Sequence, residues 1–193
     1  YTATKITGKE NFWPADLHLV GKEILWFHAV IWEALLIAAE IPLPKEVFAH
    51  NFYTNDGQKM SKSLGNVISP LELLGKFGID GTRYLIASSF PAFDDSDVGL
   101  ERFKEKYNSD LANGLGNLVA RIAKLAEGAT TTFPAPEKVD FSETVTSKIK
   151  TFSLNEALGV IWDSIAKENK RINEEKPWQL PPERLNNFLE KSV

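Results

Sequence analysis

Lys59-Met60-Ser61-Lys62-Ser63 sets two ammonium groups and two hydroxyls within five residues, and Leu64-Gly65-Asn66 follows. A loop of Lys, Ser and Gly suits a polyphosphate, because lysines supply charge while hydroxyls and backbone N–H groups supply hydrogen bonds. A second polar group is Gly21-Lys22-Glu23, at the predicted carboxyl end of a strand. A carboxylate there accepts hydrogen bonds from ribose hydroxyls. The third is Asn113, Asn117 and Arg121, spaced i, i+4, i+8 on one stripe of a predicted helix, which by spacing alone reads as a solvated face. Trp178, next to Lys176 and Pro177, is either a packing plug or an exposed stacking plate. By residue type alone, His18, His28 and His50 read as structural.

These groups need a frame. Leu17-His18-Leu19-Val20 predicts a short strand, Ile24 to Glu40 a helix that is apolar nearly all round and buried against a sheet, and Val47 to Thr54 a second strand. Residues 17–54 thus read as a βαβ unit with a parallel crossover. Asn55-Asp56-Gly57 is a hairpin-type turn leading into the lysine loop. Ser69-Pro70-Leu71-Glu72 then opens a helix with a capping box, Gly78 ends it, and a second helix covers Gly81 to Ser89. Asp94-Asp95-Ser96-Asp97 lacks the spacing of a calcium loop and reads as a solvated turn at a helix start.

From Leu100 onward the pattern is helical. One helix carries Leu100, Phe103 and Tyr107, and the next runs from Leu111 to Leu125, with Gly114 and Gly116 pointing to close helix packing. A Thr/Pro-rich connection covers Gly128 to Asp140, and Ser142 to Lys150 is a short polar helix. Ser153-Leu154-Asn155-Glu156 is another capping box, opening a helix that reaches Glu175, and a last helix begins at Pro181-Pro182-Glu183.

With 193 residues, 43% hydrophobic content and five Trp, the chain can bury a sizeable core. It has no Cys, which excludes disulfides and thiolate metal sites in this stretch. No signal peptide opens it and no apolar run reaches membrane-spanning length, so a cytoplasmic setting is expected. The net charge of −4 weighs mildly against a general nucleic-acid binder and leaves room for a local basic patch.

The five-residue lysine motif is identical to the KMSKS signature of class I aminoacyl-tRNA synthetases. With FWPADLHLVGKEILWFHAVIWEALL, VFAH, DGQKMSKSLGNVISPLELL, NSDLANGLGNLVARI and INEEKPW, the stretch from about Phe12 to Trp178 resembles the C-terminal part of the methionyl-tRNA synthetase core, of bacterial type. The resemblance implies an α/β remnant, the second half of a class I nucleotide-binding fold, followed by an all-α anticodon-binding bundle. The chain would then be mainly helical, divided as 1–66 with the KMSKS loop, 67–99 as connecting helices, and 100–193 as an incomplete anticodon-binding domain.

The resemblance also assigns residues. Lys59 and Lys62 match the catalytic lysines, with Lys62 the nearer transition-state contact. ATP would meet Gly21, Glu23, Lys59, Met60, Ser61, Lys62 and Ser63. Asp is commoner in the family where Glu23 stands here. Phe27 and His28 match the methionine pocket, and Asn117, Arg121 and Trp178 match the residues that meet the anticodon of tRNA(Met). The implied chemistry is methionine activation by ATP with Mg2+, then transfer to tRNA. No HIGH signature occurs in these residues, nor the Cys-rich insertion that holds zinc in many relatives. The chain therefore reads as a piece of a longer ligase, inactive alone and without a metal site of its own. The alternative is a non-catalytic tRNA-binding module that keeps only the helical part.

Overall fold

The computed structural model describes residues 2–130, 132 and 140–192; most of the predicted Thr/Pro-rich connection lies outside these. A short helix α1 (Thr2–Ile6) and a turn at Glu10–Phe12 precede strand β1 (His18–Gly21). The chain then winds helically from a 3-10 turn at Lys22–Ile24, through a π-wound stretch at Phe27–Trp32, into α2 (Glu33–Ala38). Strand β2 (Val47–His50) pairs parallel with β1, His18 opposite Val47 and Gly21 opposite His50. The expected βαβ unit is present.

Two expectations for this region need correction. The helix was expected to lie buried against a sheet, yet Trp26 and Phe27 are each 65% exposed and Leu35 and Ile37 each 63%. Two strands of four residues are too small to cover it, and a parallel sheet needs both faces covered before it closes a core. The second strand was expected to run unbroken from 47 to 54. It stops at His50 because the Asn51 backbone N–H turns aside to the Ala92 carbonyl.

The chain re-enters a sheet as β3 (Tyr53–Asn55), which forms a tight antiparallel hairpin with β4 (Gln58–Lys59). Asp56 and Gly57 both take positive φ, 51° and 75°, the geometry a two-residue hairpin turn demands. On its other side β3 pairs parallel with β5 (Ser96–Val98). Of the acidic stretch, Asp94 and Asp95 stay exposed before the strand, whereas Ser96 and Asp97 belong to β5, and the cause lies across the chain. Asp97 Oδ1 accepts from Thr54 Oγ1 at 2.7 Å and from Gly57 N at 2.8 Å, which stitches the strand onto the hairpin.

Helix α3 (Pro70–Ser89) lies between these strands in sequence and breaks at Gly78 as expected. Gly78 has φ 69° and ψ −179°, a region essentially reserved for glycine. The helix start is not capped by the Ser69 side chain, and the Ser153 box is likewise unmade; Ser142 does cap its helix, accepting from Val145 N. α4 (Leu100–Lys106), a π-wound stretch (Tyr107–Gly116) and α5 (Asn117–Ala126) form one continuous helical run, where two helices were expected. Close packing at Gly114 is observed: a Cβ there would lie 3.2 Å from the Trp162 ring.

α6 (Glu143–Lys150), α7 (Leu154–Glu175), a turn at Pro177–Gln179 and α8 (Pro182–Glu190) complete the chain. Two clusters hold the fold. Leu73, Leu85, Val98 and Phe103 join α3, β5 and α4, with Met60 and Ile68 packed on them. Leu118, Ile172, Leu185, Phe188 and Leu189 join α5, α7 and α8. The architecture is a small α/β part followed by a mainly helical one.

Candidate functional site

The lysine loop leaves β4 with its base anchored and its tip free. Met60 packs against the Leu73 cluster, Ser61 and Asn66 are half-buried, and Lys62, Ser63, Leu64 and Gly65 are exposed. The Ser61 and Ser63 hydroxyls lie 2.7 Å apart. Lys59 Nζ lies 5.2 Å from the centroid of the Phe52 ring, in the link between β2 and β3. Lys22 Nζ lies 4.5 Å from the same centroid. A cation over an aromatic face is attracted by the ring quadrupole, so Phe52 gathers two positive charges from residues 37 positions apart in sequence (59 − 22).

Only one of those charges has an acidic partner among the described residues. Lys22 Nζ is 2.5 Å from Asp95 Oδ1, and Asp95 also accepts from the Phe52 backbone N–H at 2.9 Å. The Lys22 hydrogen bond first, then the Phe52 one, hold the Asp95 carboxyl below the usual carboxylate range. Lys59 and Lys62 form no ion pair with any described residue, so their charge is available to an anion. Gly21 ends β1 immediately before Lys22, and the Glu23 carboxylate folds back over it: a Cβ on Gly21 would come within 2.4 Å of Glu23 Oε2. Lys59, from the lysine loop, and Lys22, between Gly21 and Glu23, thus meet at Phe52. Neither Phe52 nor Asp95 was singled out in the sequence, since their roles arise from contacts across the chain.

Phe27 and His28 are adjacent in sequence and diverge in space. Phe27 stays exposed, while the His28 ring turns inward to His18, with Nε2 2.8 Å from His18 Nδ1. Trp32 stacks at a tilt against both imidazoles, and Trp13 meets Trp32 edge-on. Burial, and then the neighbouring His28, push the His18 pKa down. A cavity of about 440 Å³ opens beside the loop, lined by Leu19, Phe48, Met60, Leu73, Phe90 and Phe152 among others. Neither Lys59 nor Lys62 lines it, so it is distinct from the cationic site.

At the helical end, Arg121 is not a free solvated side chain. Its Nη1 donates to Asn169 Oδ1 at 3.2 Å and its Nη2 to Asn173 Oδ1 at 2.6 Å, both on α7. Asn117 is exposed one turn earlier on α5. Trp178 follows the end of α7 and is 57% exposed, which favours the stacking plate over the packing plug. Arg121 and Trp178 are thus tied to the same end of α7. Asn169 and Asn173 escaped the sequence reading because nothing local marks them as partners of a residue about 50 positions away.

Among the described residues, no group of three or more His, Cys, Asp or Glu is arranged to hold a metal, and no helix is long and apolar enough to cross a membrane. Residues 4–123 match the family model described as tRNA synthetases class I (M). The chain belongs to that family. As a class I (M) chain it is 44% identical over 183 residues to the methionine–tRNA ligase of Clostridium acetobutylicum, covering 88% of this chain and 28% of that protein. It is 43% identical over 186 residues to the methionine–tRNA ligase of Thermotoga maritima, covering 90% of this chain and 30% of that one. The methionyl-tRNA synthetase of Mycobacterium tuberculosis, solved in complex with methionyl-adenylate, superposes with a TM-score of 0.77 at 32% identity. That match covers 98% of this chain and 41% of the other. The chain therefore spans about three-tenths of the length of the curated relatives it matches.

Proposed function

We propose that this chain supplies the lysine-loop half of the nucleotide site and the anticodon-binding helices of a methionine–tRNA ligase. The observation that supports this best is the meeting of Lys59 and Lys22 over Phe52, beside Gly21 and Glu23. Two ammonium groups gathered at the carboxyl end of a parallel strand, one of them without a carboxylate partner, suit the triphosphate of ATP. Glu23 is placed to accept from the ribose. Lys62, on the exposed tip, reaches the phosphates as charge moves onto pyrophosphate, which is electrostatic stabilisation and needs no proton transfer. Mg2+ is bound mainly through phosphate oxygens and water, so it asks little of the protein.

Methionine would lie near Phe27 and His28, with the His18–His28 pair setting the orientation of the imidazole. Asn117, Arg121 and Trp178 would read the single-stranded anticodon of tRNA(Met), since splayed bases stack on aromatics and bond to Asn and Arg. In this reading 1–66 belongs to the catalytic domain, 67–99 connects, and 100–193 belongs to the anticodon-binding domain, and the protein works in the cytoplasm. The test is ATP–pyrophosphate exchange by the full-length gene product that contains this chain. Lys62→Ala is expected to slow exchange greatly with methionine KM nearly unchanged. An unchanged exchange rate would remove the lysine loop from the chemistry and leave the tRNA-binding module as the better reading.

A further inference from the structure

The lysine loop is closed at its base by one side chain. Asn66 Oδ1 accepts from the Ser61 backbone N–H at 2.8 Å, and Asn66 Nδ2 donates to the Lys59 carbonyl at 3.2 Å. The two backbone groups lie on either side of Met60, so the amide spans the chain much as a neighbouring strand would. The amide orientation follows from its partners: an N–H can only donate and a carbonyl only accept, and flipping the group would forfeit both bonds. Asn66 is itself held, because its backbone carbonyl accepts from Asn55 Nδ2, on β3, at 2.7 Å. Met60, between the two bridged residues, packs into the Leu73 cluster. Past this bridge the tip turns tightly, with Leu64 N donating to Ser61 O and Gly65 N to Lys62 O, and all four tip residues are exposed.

We propose that Asn66 is a positioning residue that divides the loop in two, tying Lys59 and Ser61 to the β3–β4 hairpin while leaving Lys62 on a tip that moves. This rests on the reading of the loop as a phosphate-binding element and deepens it. The two lysines then differ in kind. Lys59 stays over Phe52 as a fixed charge that helps to recruit the nucleotide. Lys62 travels, and its path starts from a base that Asn66 keeps in register. Loss of the amide frees the base as well, so the nucleotide must order the whole loop on binding, and the cost falls on ATP and not on methionine.

The experiment compares Asn66→Ala, Asn66→Asp and Asn55→Ala with the parent sequence in the full-length gene product. For Asn66→Ala, ATP KM in pyrophosphate exchange should rise on the order of tenfold, the effect of one or two net hydrogen bonds, with methionine KM and Tm unmoved. Trypsin should cut after Lys59 and Lys62 faster by a similar factor when ATP is absent. Asn66→Asp keeps the acceptor for Ser61 and loses the donor for Lys59, so its cleavage rate should fall between the two. Asn55→Ala loosens the same base from the hairpin side and should shift cleavage in the same direction, whether or not the Asn66 variants fold well. Parent-like ATP dependence and cleavage in Asn66→Ala would overturn the proposal, as would an equal rise in ATP and methionine KM. Lys62→Ala separates the two levels: if it leaves exchange unchanged the phosphate-loop reading fails, whereas an Asn66 result at parent level beside a crippled Lys62→Ala sinks only the positioning role.

Discussion

The two ends of the molecule solve the packing problem differently. Residues 18–50 form a parallel strand pair with a helical crossover, and of these only Val20 and Leu36 are buried hydrophobics. The C-terminal helices bury Leu118, Ile172, Leu185, Phe188 and Leu189 in one cluster, and Arg171 lies over the Phe188 ring while paired with Glu168. A few helices can close a core among themselves, whereas a two-stranded parallel sheet leaves both of its faces to be covered. The contrast implies that stability resides at the helical end. The α/β end instead presents charges and aromatics at its surface.

The sharpest way to break that contrast is a pair of truncations read by urea unfolding. Phe188→Ala should cost about 3–5 kcal/mol, and Leu35→Ala, at an exposed site, less than about 0.5 kcal/mol. Similar costs at both sites would end the distinction. Next in size is Lys62→Ala in the full-length protein, where loss of a placed transition-state charge is expected to slow activation about 10²–10³-fold. Single-turnover kinetics with ATP and methionine give that rate directly. Smaller again is Trp178→Ala, which should weaken binding of a CAU anticodon stem-loop by about 1–3 kcal/mol, measured by titration. No weakening would take the RNA contact away from the helical end.

The smallest effect concerns acid. All three histidines, 18, 28 and 50, lie at the α/β end. His18 has its pKa lowered in the folded state, by burial first and by His28 second, with Glu33 opposing. The unfolded chain then binds the proton more readily. The contribution is complete above the unfolded pKa of about 6.5 and is lost as pH falls through the folded value. Melting at about pH 7.5 and about pH 5.5 should show a modest drop on the acid side that His18→Gln removes. A drop of equal size in the variant would assign the acid sensitivity to other groups.

Local sequence was enough for features governed by local physics. The Asp56-Gly57 turn, the parallel unit of β1 and β2, the break at Gly78 and the long helix ending before Lys176-Pro177 all appear where turn chemistry and periodicity put them. What escaped depends on distant partners. Three residues of β5 carry no pattern of their own, and their one acidic side chain, Asp97, makes sense only beside Thr54 and Gly57. The capping boxes at Ser69 and Ser153 match their local rule and still go unmade. In the site, lysines and glycines were visible as a motif. Phe52, which gathers the cations, and Asn66, which closes the loop, show their purpose only once the chain has folded back.

The bend at Gly78 has a mechanical reading. One arm of α3 presses Leu73 into the cluster that seats Met60, and the other sets Tyr84 against Trp162 on α7. Both arms meet in that cluster, where Leu85 joins Leu73, so the bend lets a single helix brace the base of the lysine loop and α7 at once, much as an elbow lets one limb bear on two supports. A single methyl at that elbow would meet open space yet strain the backbone, so the joint resists change through its own torsion and not through its neighbours.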